Sequence, residues 1–421
     1  MLQHVKDRRV LMLIVAAVLL SVFAGGVMAK RLPLQSGAYE NLKVFTEVLS
    51  YIEANYVEEV EPDKLVQGAI RGMLKTLDPH SSYMPQDVYR EMQVETEGRF
   101  GGLGIEITVR DDVLTVVTPI DGTPAFRAGL QAGDQIVKIE GESTKDMSLV
   151  DAVKKLRGPE GSAVTVGIFR KGFTEPQDFT LTRAIIQIKS VRWKKLQDDI
   201  GYIRLRSFQK TTTEELEDAL QDLEEQRIRA LVLDLRNNPG GLLEQAISVS
   251  DEFLEAGKLI VYTKGRLASQ NMKGYSKNDR AHVGYPIAIL INNGSASASE
   301  IVAGALQDLG RATLVGSQSF GKGSVQTIIP LSDGSGLRLT TAKYYTPKGR
   351  EIHGKGITPD IVVDEPQAAQ EQEDEAKQSA ARSRRQMSLP GDDVSDDPQL
   401  LKAMDFLKTQ VKQGGSSVKA G

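Results

Sequence analysis

The sequence predicts a multidomain chain of mixed α+β and α/β class, with a helical N-terminal region, a small β-rich domain and an α/β core. Three observations predict it. Residues 37–95 carry apolar positions such as Leu42, Phe45, Leu49, Ile52 and Tyr56 at alternating three- and four-residue spacing. From 98 to 186 the chain turns glycine-rich and alternates apolar with polar residues, as at Ile105, Ile107 and Val109 or Val164, Val166 and Ile168. From 191 to 363 short apolar runs alternate with helical stretches, the pattern of strands paired in parallel. At 421 residues with 40% hydrophobic content, the chain is long enough for two or three such domains.

Before the helical region, residues 1–29 read as an export signal. Lys6, Arg8 and Arg9 precede an apolar run from Val10, and Val27-Met28-Ala29 supplies small residues for cleavage. Counted on to Met28 the run reaches 19 residues, close to the length that spans a bilayer, so an uncleaved anchor in the inner membrane is an equal reading. With no cysteine there is no disulfide, thiol chemistry or thiolate metal site. A net charge of −4 gives nucleic acid nothing to bind. Four histidines, no two at a ligand spacing, give no support for a metal, and no cofactor is expected.

The β-rich segment 98–186 contains one helix, at Ser148–Leu156. In the core, Gly201–Leu205, Ala230–Leu235 and Pro286–Asn292 read as strands, and Thr213–Gln226 and Leu242–Leu254 as helices. Residues 364–397 are polar and read as a disordered linker. Leu400, Leu401, Met404 and Leu407 then mark an amphipathic helix over 398–412, free to dock on another copy or to pack back on its own domain.

The chemistry concentrates in Gly294-Ser-Ala-Ser-Ala-Ser-Glu300 and in Gly321-Lys-Gly323. The apolar stretch Ile301–Leu306, closed by Gly310, places Ser297 at a helix start, where unpaired N–H groups favour a developing oxyanion. A lysine takes the serine's proton only if burial lowers its pKa from roughly 10.4 towards neutrality, at a cost of about 4 kcal/mol. Phe320, Val325 and the flanking glycines are expected to provide such surroundings for Lys322. Spacing alone does not separate Ser297 from Ser295 and Ser299.

These residues resemble the carboxyl-terminal processing peptidases, serine proteases of the Ser–Lys type found in bacterial envelopes and plastids. Leu77-Asp-Pro-His-Ser-Ser-Tyr83, the Ala125–Gly141 block, Leu233-Asp-Leu-Arg-Asn-Asn-Pro-Gly-Gly241, Gly294–Glu300 and Ser319–Gln326 carry the resemblance across residues 37–363. It implies a PDZ domain at 98–186 and a crotonase-like protease core at 191–363, to which 77–97 contributes. It makes Ser297 the nucleophile, Lys322 the general base and Gln326 the group that orients the lysine. It implies an oxyanion hole made of the N–H of Ala298 with that of Gly240 or Gly241. The glycine turn at Gly102, Leu103, Gly104 and Ile105 is expected to form a nest for a substrate C-terminus, and the resemblance implies that Arg157 senses it. Segments at 93–99 and 185–191 are the expected hinges.

The partners implied are protein or peptide substrates with free C-termini in the periplasm or cell envelope. Exposed amphipathic helices add an expected homo-oligomer, and an activating or adaptor protein would leave no trace in the sequence. Crotonase-like acyl chemistry on the same fold is disfavoured by export to the envelope, where acyl-coenzyme A is absent, and three other readings compete. A catalytically silent PDZ scaffold would lack the serine or lysine, and both are present. Gly316-Ser-Gln-Ser-Phe-Gly-Lys322 fits the start of a phosphate loop but lacks the following Ser or Thr. A triad of serine with His282 or His353 and Asp234 or Asp360 is the third.

Overall fold

The computed structural model describes residues 36–110, 112–278, 282–364 and 397–417, which form two units divided after Leu77. The export signal and nearly all of the polar linker lie outside the described residues. No described helix is long and apolar enough to cross a membrane.

The first unit holds α1 (Ser36–Asn55) and α2 (Pro62–Lys75). Pro62 starts α2 where its fixed φ suits a helix and its missing N–H is not needed. Along α1, Leu42, Val48 and Tyr51 are more than half exposed and Phe45 is 41% exposed.

In the second unit the segment read as wholly helical contains a strand. Pro79 interrupts the helical run, and Asp78 closes the turn by accepting the N–H groups of His80 and Ser81 at 2.7 and 2.8 Å. The next residues, β1 (Ser82–Met84), pair antiparallel with β18 (Gly336–Tyr345). The helix α3 (Gln86–Glu97) follows and ends at Gly98, whose φ of 70° stops it. Then β2 (Arg99–Gly102) pairs with β9 (Ala184–Gln187) in a separate two-stranded ribbon.

Between those ribbon strands lies the β-rich domain. Its sheet runs β3 (Ile105–Arg110), β4 (Val113–Pro119), β5 (Gln135–Ile139), β7 (Ala163–Phe169) and β8 (Gln177–Thr182), with β6 (Glu142–Ser143) on β5. Two helices cover it, α4 (Pro124–Arg127) and α5 (Leu149–Leu156), the second capped by Ser148. The inward positions of the alternating pattern, Ile136, Val164, Val166 and Ile168, are buried with Ala152 and Leu156. Strand β3 is one edge of this sheet and β8 the other.

The core sheet runs β10 (Val191–Lys195), β11 (Ile200–Leu205), β12 (Ala230–Asp234), β15 (Ile287–Ile291), β16 (Ala312–Gly316) and β19 (Ile361–Val362). All pairs after β10–β11 are parallel. Both faces are buried, as a parallel sheet requires. Leu231 and Leu233 point toward α6 (Thr212–Glu225), α7 (Leu243–Asp251) and α8 (Ala298–Asp308). Ala230 and Val232 point the other way, under α9 (Pro398–Ser417). A second sheet sets β18 beside β13 (Leu259–Gly265), which carries β14 (Lys273–Tyr275), and beside β17 (Ser324–Pro330).

The C-terminal helix therefore packs back on its own domain. Leu400, Ala403, Met404 and Leu407 are at most 5% exposed against Tyr202, Val232, Ala288 and Leu290. Each of the larger side chains contributes roughly 1.5–3 kcal/mol by that burial, so the apolar face expected to seek a second copy is already covered.

Candidate active site

Strand β15 leads through Asn292–Ala296 into α8, and Ser297 is the residue just before the helix, with φ 55° and ψ −112°. An L residue rarely adopts that conformation, and holding it costs on the order of 1–3 kcal/mol. It marks a sharp strand-to-helix turn that lifts one side chain away from the backbone. The neighbouring serines are spent on structure. The Ser295 hydroxyl donates to the Leu235 carbonyl at 2.8 Å, the Ser299 hydroxyl to that of Asn238 at 2.9 Å, and both are fully buried. Ser297 remains 8% exposed, and its side chain faces the phenol of Tyr344, which burial pushes up to about 12 while Ser297 pulls it down.

Lys322 lies in the loop between β16 and β17. Burial lowers its pKa, the nearby Arg338 adds to the effect and Glu300 opposes it. Phe320 does not provide the expected shelter, since it is 61% exposed. The backbone on either side does, for Gly321, Gly323 and Ser324 are buried. His80, from the Leu77–Tyr83 block, feels burial first and then the Lys322 charge, and its pKa falls.

Glu300 joins the serine to the lysine, a role the sequence reading assigned to no residue. Fully buried at the third position of α8, it accepts four hydrogen bonds. One carboxylate oxygen takes the Ser319 hydroxyl at 2.6 Å and the Gly321 N–H at 2.7 Å. The other takes the N–H groups of Ser297 at 2.8 Å and Lys322 at 2.9 Å. Burial raises its pKa and the four donors lower it. Because one oxygen holds both nitrogens, the two backbone positions are locked together. The signal was present as Ser297-x-x-Glu300, the spacing of a capping box.

Gln326 stands on β17, where a register shift between Val325 and Gln326 supplies the bend that a short path from Lys322 needs. Its amide nitrogen donates to Thr340 at 2.8 Å and Ser324 at 3.2 Å, while its Oε1 is buried with no partner. Asp78 holds the Ser81 hydroxyl at 2.8 Å, and that hydroxyl accepts the Thr340 N–H at 3.1 Å. The N-terminal block thereby braces the strand facing Gln326. Among the described residues Lys322 Nζ has no hydrogen bond to Ser297 or to Gln326 Oε1.

The two glycines left open by the sequence differ here. Gly240 donates its N–H to Asn238 Oδ1 at 2.9 Å. A Cβ on Gly240 would stand 2.8 Å from Ser297 Cβ, and its φ of 102° suits glycine alone. Gly241 is exposed, and its N–H, like that of Ala298, has no protein acceptor among the described residues. Ala298, which follows the serine, and Gly241, which follows the glycine packed against it, therefore each keep an N–H without a protein acceptor among the described residues.

In the β-rich domain Leu103 and Gly104 lie between β2 and β3, and their N–H groups have no acceptor among the described residues. Gly102 pairs with Ala184, and Ile105 opens the free edge strand. Arg157 caps the end of α5, pairs with Glu91 of α3 and stacks on Phe100 at 4.4 Å. It sits beside the loop, where a Cβ on Gly102 would be 3.9 Å from its Cγ.

The competing chemistries do not assemble. His282 pairs with Glu224 at 2.6 Å, Asp234 and Asp360 are spent on Arg236 and on the Leu314 N–H, and His353, whose backbone packs against Gly323, has its Nδ1 buried with no partner and so no aspartate to orient it. The segment resembling a phosphate loop runs into strand β17 where such a loop must open a helix.

Residues 199–363 match the family described as peptidase family S41, residues 115–170 a PDZ domain, and residues 26–88 the N-terminal domain described for the activating protease CtpB. The carboxy-terminal-processing protease of Bartonella bacilliformis is 49% identical over 336 residues, 79% of this chain and 77% of that one. The carboxyl-terminal-processing protease of Synechocystis is 43% identical over 306 residues, 71% of each chain. A carboxy-terminal processing protease of Bacillus subtilis is 38% identical over 319 residues, 76% of this chain and 68% of that one.

Proposed function

From the premise that this chain belongs to the S41 carboxy-terminal processing proteases, with a PDZ domain, we propose that it is an exported serine endopeptidase. It cuts envelope proteins near their C-termini through an acyl-enzyme on Ser297. The observation that carries this reading is the Glu300 carboxylate, which ties the strained Ser297 and the lysine loop into one unit. Neutral Lys322, oriented by Gln326 Oε1, takes the Ser297 proton as Oγ attacks the scissile carbonyl. The N–H groups of Ala298 and Gly241 receive the oxyanion. The departing amine takes its proton from Lys322, and water then releases the acyl group.

The absence of a Ser297–Lys322 hydrogen bond, together with Tyr344 facing the serine, supports a resting arrangement that must shift before cutting. The PDZ domain supplies the bias. A substrate C-terminus adds a strand at the β3 edge with its carboxylate at Leu103–Gly104, and Arg157 exchanges Glu91 for the bound peptide. Export rests on residues 1–29, and self-association on the exposed apolar face of α1. Ser297→Ala in purified residues 30–421 is expected to abolish cleavage of an unfolded substrate without changing the melting temperature. Cleavage at the wild-type rate would sink the reading.

A further inference from the structure

Arg236 opens the loop that ends at Gly241, and its guanidinium is gripped from two sides. Nε and Nη2 donate to the two oxygens of Asp234 at 3.0 and 2.7 Å. Nη1 and Nη2 donate to the two oxygens of Asp397 at 2.9 and 2.8 Å, and Nη1 reaches Gln399 at 3.1 Å. Asp234 is fully buried and takes the Tyr202 hydroxyl at 2.7 Å. Burial pushes its carboxyl up, and Arg236 more than offsets this and holds it below the ordinary range. Asp397 is 161 residues away in sequence and precedes the first turn of α9, where it also accepts the Leu400 N–H at 2.9 Å. Gln399 in turn donates to the Val363 carbonyl at 2.9 Å.

The same loop is pinned along its length by the core. Asn237 N–H bonds Asn292 Oδ1 at 2.9 Å, Asn238 Nδ2 bonds the Leu205 carbonyl at 3.0 Å, and Ser295 and Ser299 hold two of its carbonyls. Only at its entry does the restraint come from outside the core sheet and its helices, from the docked C-terminal helix. We propose that Asp397 is a positioning residue. Through Arg236 it fixes the loop that presents the Gly241 N–H, making the C-terminal helix part of the oxyanion hole. This rests on the reading of Gly241 and Ala298 as the oxyanion donors.

The full chain is tested as Asp397→Ala, Asp397→Asn and Asp397→Glu, each assayed well below its melting temperature. Lys408→Ala is the control, because Lys408 ties the same helix to Asp198 at 2.7 Å without touching the loop. Asn keeps an oxygen for the helix cap but weakens the grip on the guanidinium. The readouts are kcat and KM on an unfolded substrate and the affinity of a peptide boronate, which forms a tetrahedral adduct on the serine. Asp397→Ala is expected to lower kcat by about 10- to 100-fold, the range for a slightly misplaced catalytic group. KM should stay within about twofold, with boronate affinity falling in parallel. Asn should lie between Ala and wild type, Glu should recover part of the loss, and Lys408→Ala should change nothing. An unchanged kcat in Asp397→Ala, or an equal loss in Lys408→Ala, overturns the proposal. A lowered kcat with intact boronate affinity also overturns it, while leaving the serine–lysine reading standing. A boronate that does not bind the wild-type chain overturns both.

Discussion

Two junctions in this molecule are built from opposite materials. Where the serine turn meets the lysine loop, a fully buried carboxylate satisfies four donors, three of them backbone N–H groups. Where the PDZ domain meets the core, the side-chain ties are ion pairs near the surface, Arg157 with Glu91 and Lys154 with Asp87 at 3.2 Å. Exposed pairs of this kind are each worth about 0–1 kcal/mol, whereas a buried donor left without its acceptor costs roughly 1–3 kcal/mol. The serine turn and the lysine loop are thus locked to each other through Glu300, and the PDZ domain is held to the core by weaker contacts. The covalent connection agrees with this, since only the β2–β9 ribbon and the two chain passages through it join the domains. One end of that ribbon is anchored, because Glu215 accepts the N–H groups of Ser190 and Val191 at 2.8 and 3.1 Å. The segments expected to hinge thus include residues paired in the β2–β9 ribbon and, at 190–191, residues held by Glu215.

The largest effect expected is at the base. Lys322→Arg should lower kcat by about 10³-fold or more, because guanidinium does not give up its proton at useful pH. The wild-type rate should rise with pH through an apparent pKa below that of free lysine, since the base works deprotonated and burial depresses its pKa. A single-turnover profile that stays flat from about pH 5 to 9 would rule out Lys322 as the base.

Next comes Glu300→Gln. One amide oxygen replaces two carboxylate oxygens, so two of the four donors lose their acceptor. Urea unfolding should show a loss of about 1–3 kcal/mol, and kcat should fall because Ser297 and Lys322 are no longer locked together. Full activity in a destabilised variant would make Glu300 a core residue only.

The smallest effects in stability are expected at the other junction. Arg157→Ala and Glu91→Ala should each change unfolding free energy by less than about 1 kcal/mol. Their effects on regulation should differ in sign. With a substrate too short to reach the PDZ groove, a separate C-terminal peptide added in trans should stimulate wild type and not Arg157→Ala. Glu91→Ala, which frees Arg157, should raise the unstimulated rate. No stimulation of wild type would reduce the PDZ domain to a tether that raises local substrate concentration.

Local patterns in the sequence were enough for much of this. The 3.6 and 2.0 periodicities were enough to read the helix at 148–156 and the strands around Ile105–Val109 and Val164–Ile168 in one domain, and β11, β12, β15, α6 and α7 in the other. The helix start at Ser297 followed from its apolar continuation and Gly310. These are properties of neighbours in the chain, where side-chain periodicity and capping act over a few residues. The four-donor role of Glu300, the spent N–H of Gly240 beside the free one of Gly241, and the exposure of Phe320 depend on how groups brought together by packing pair up, and that depends on residues far away. So do the pairing of β1 with β18, more than 250 residues apart, and the grip of Asp397 on Arg236. Hydrogen-bond satisfaction is a competition among all groups brought together by packing, so it is decided only when the chain has closed on itself.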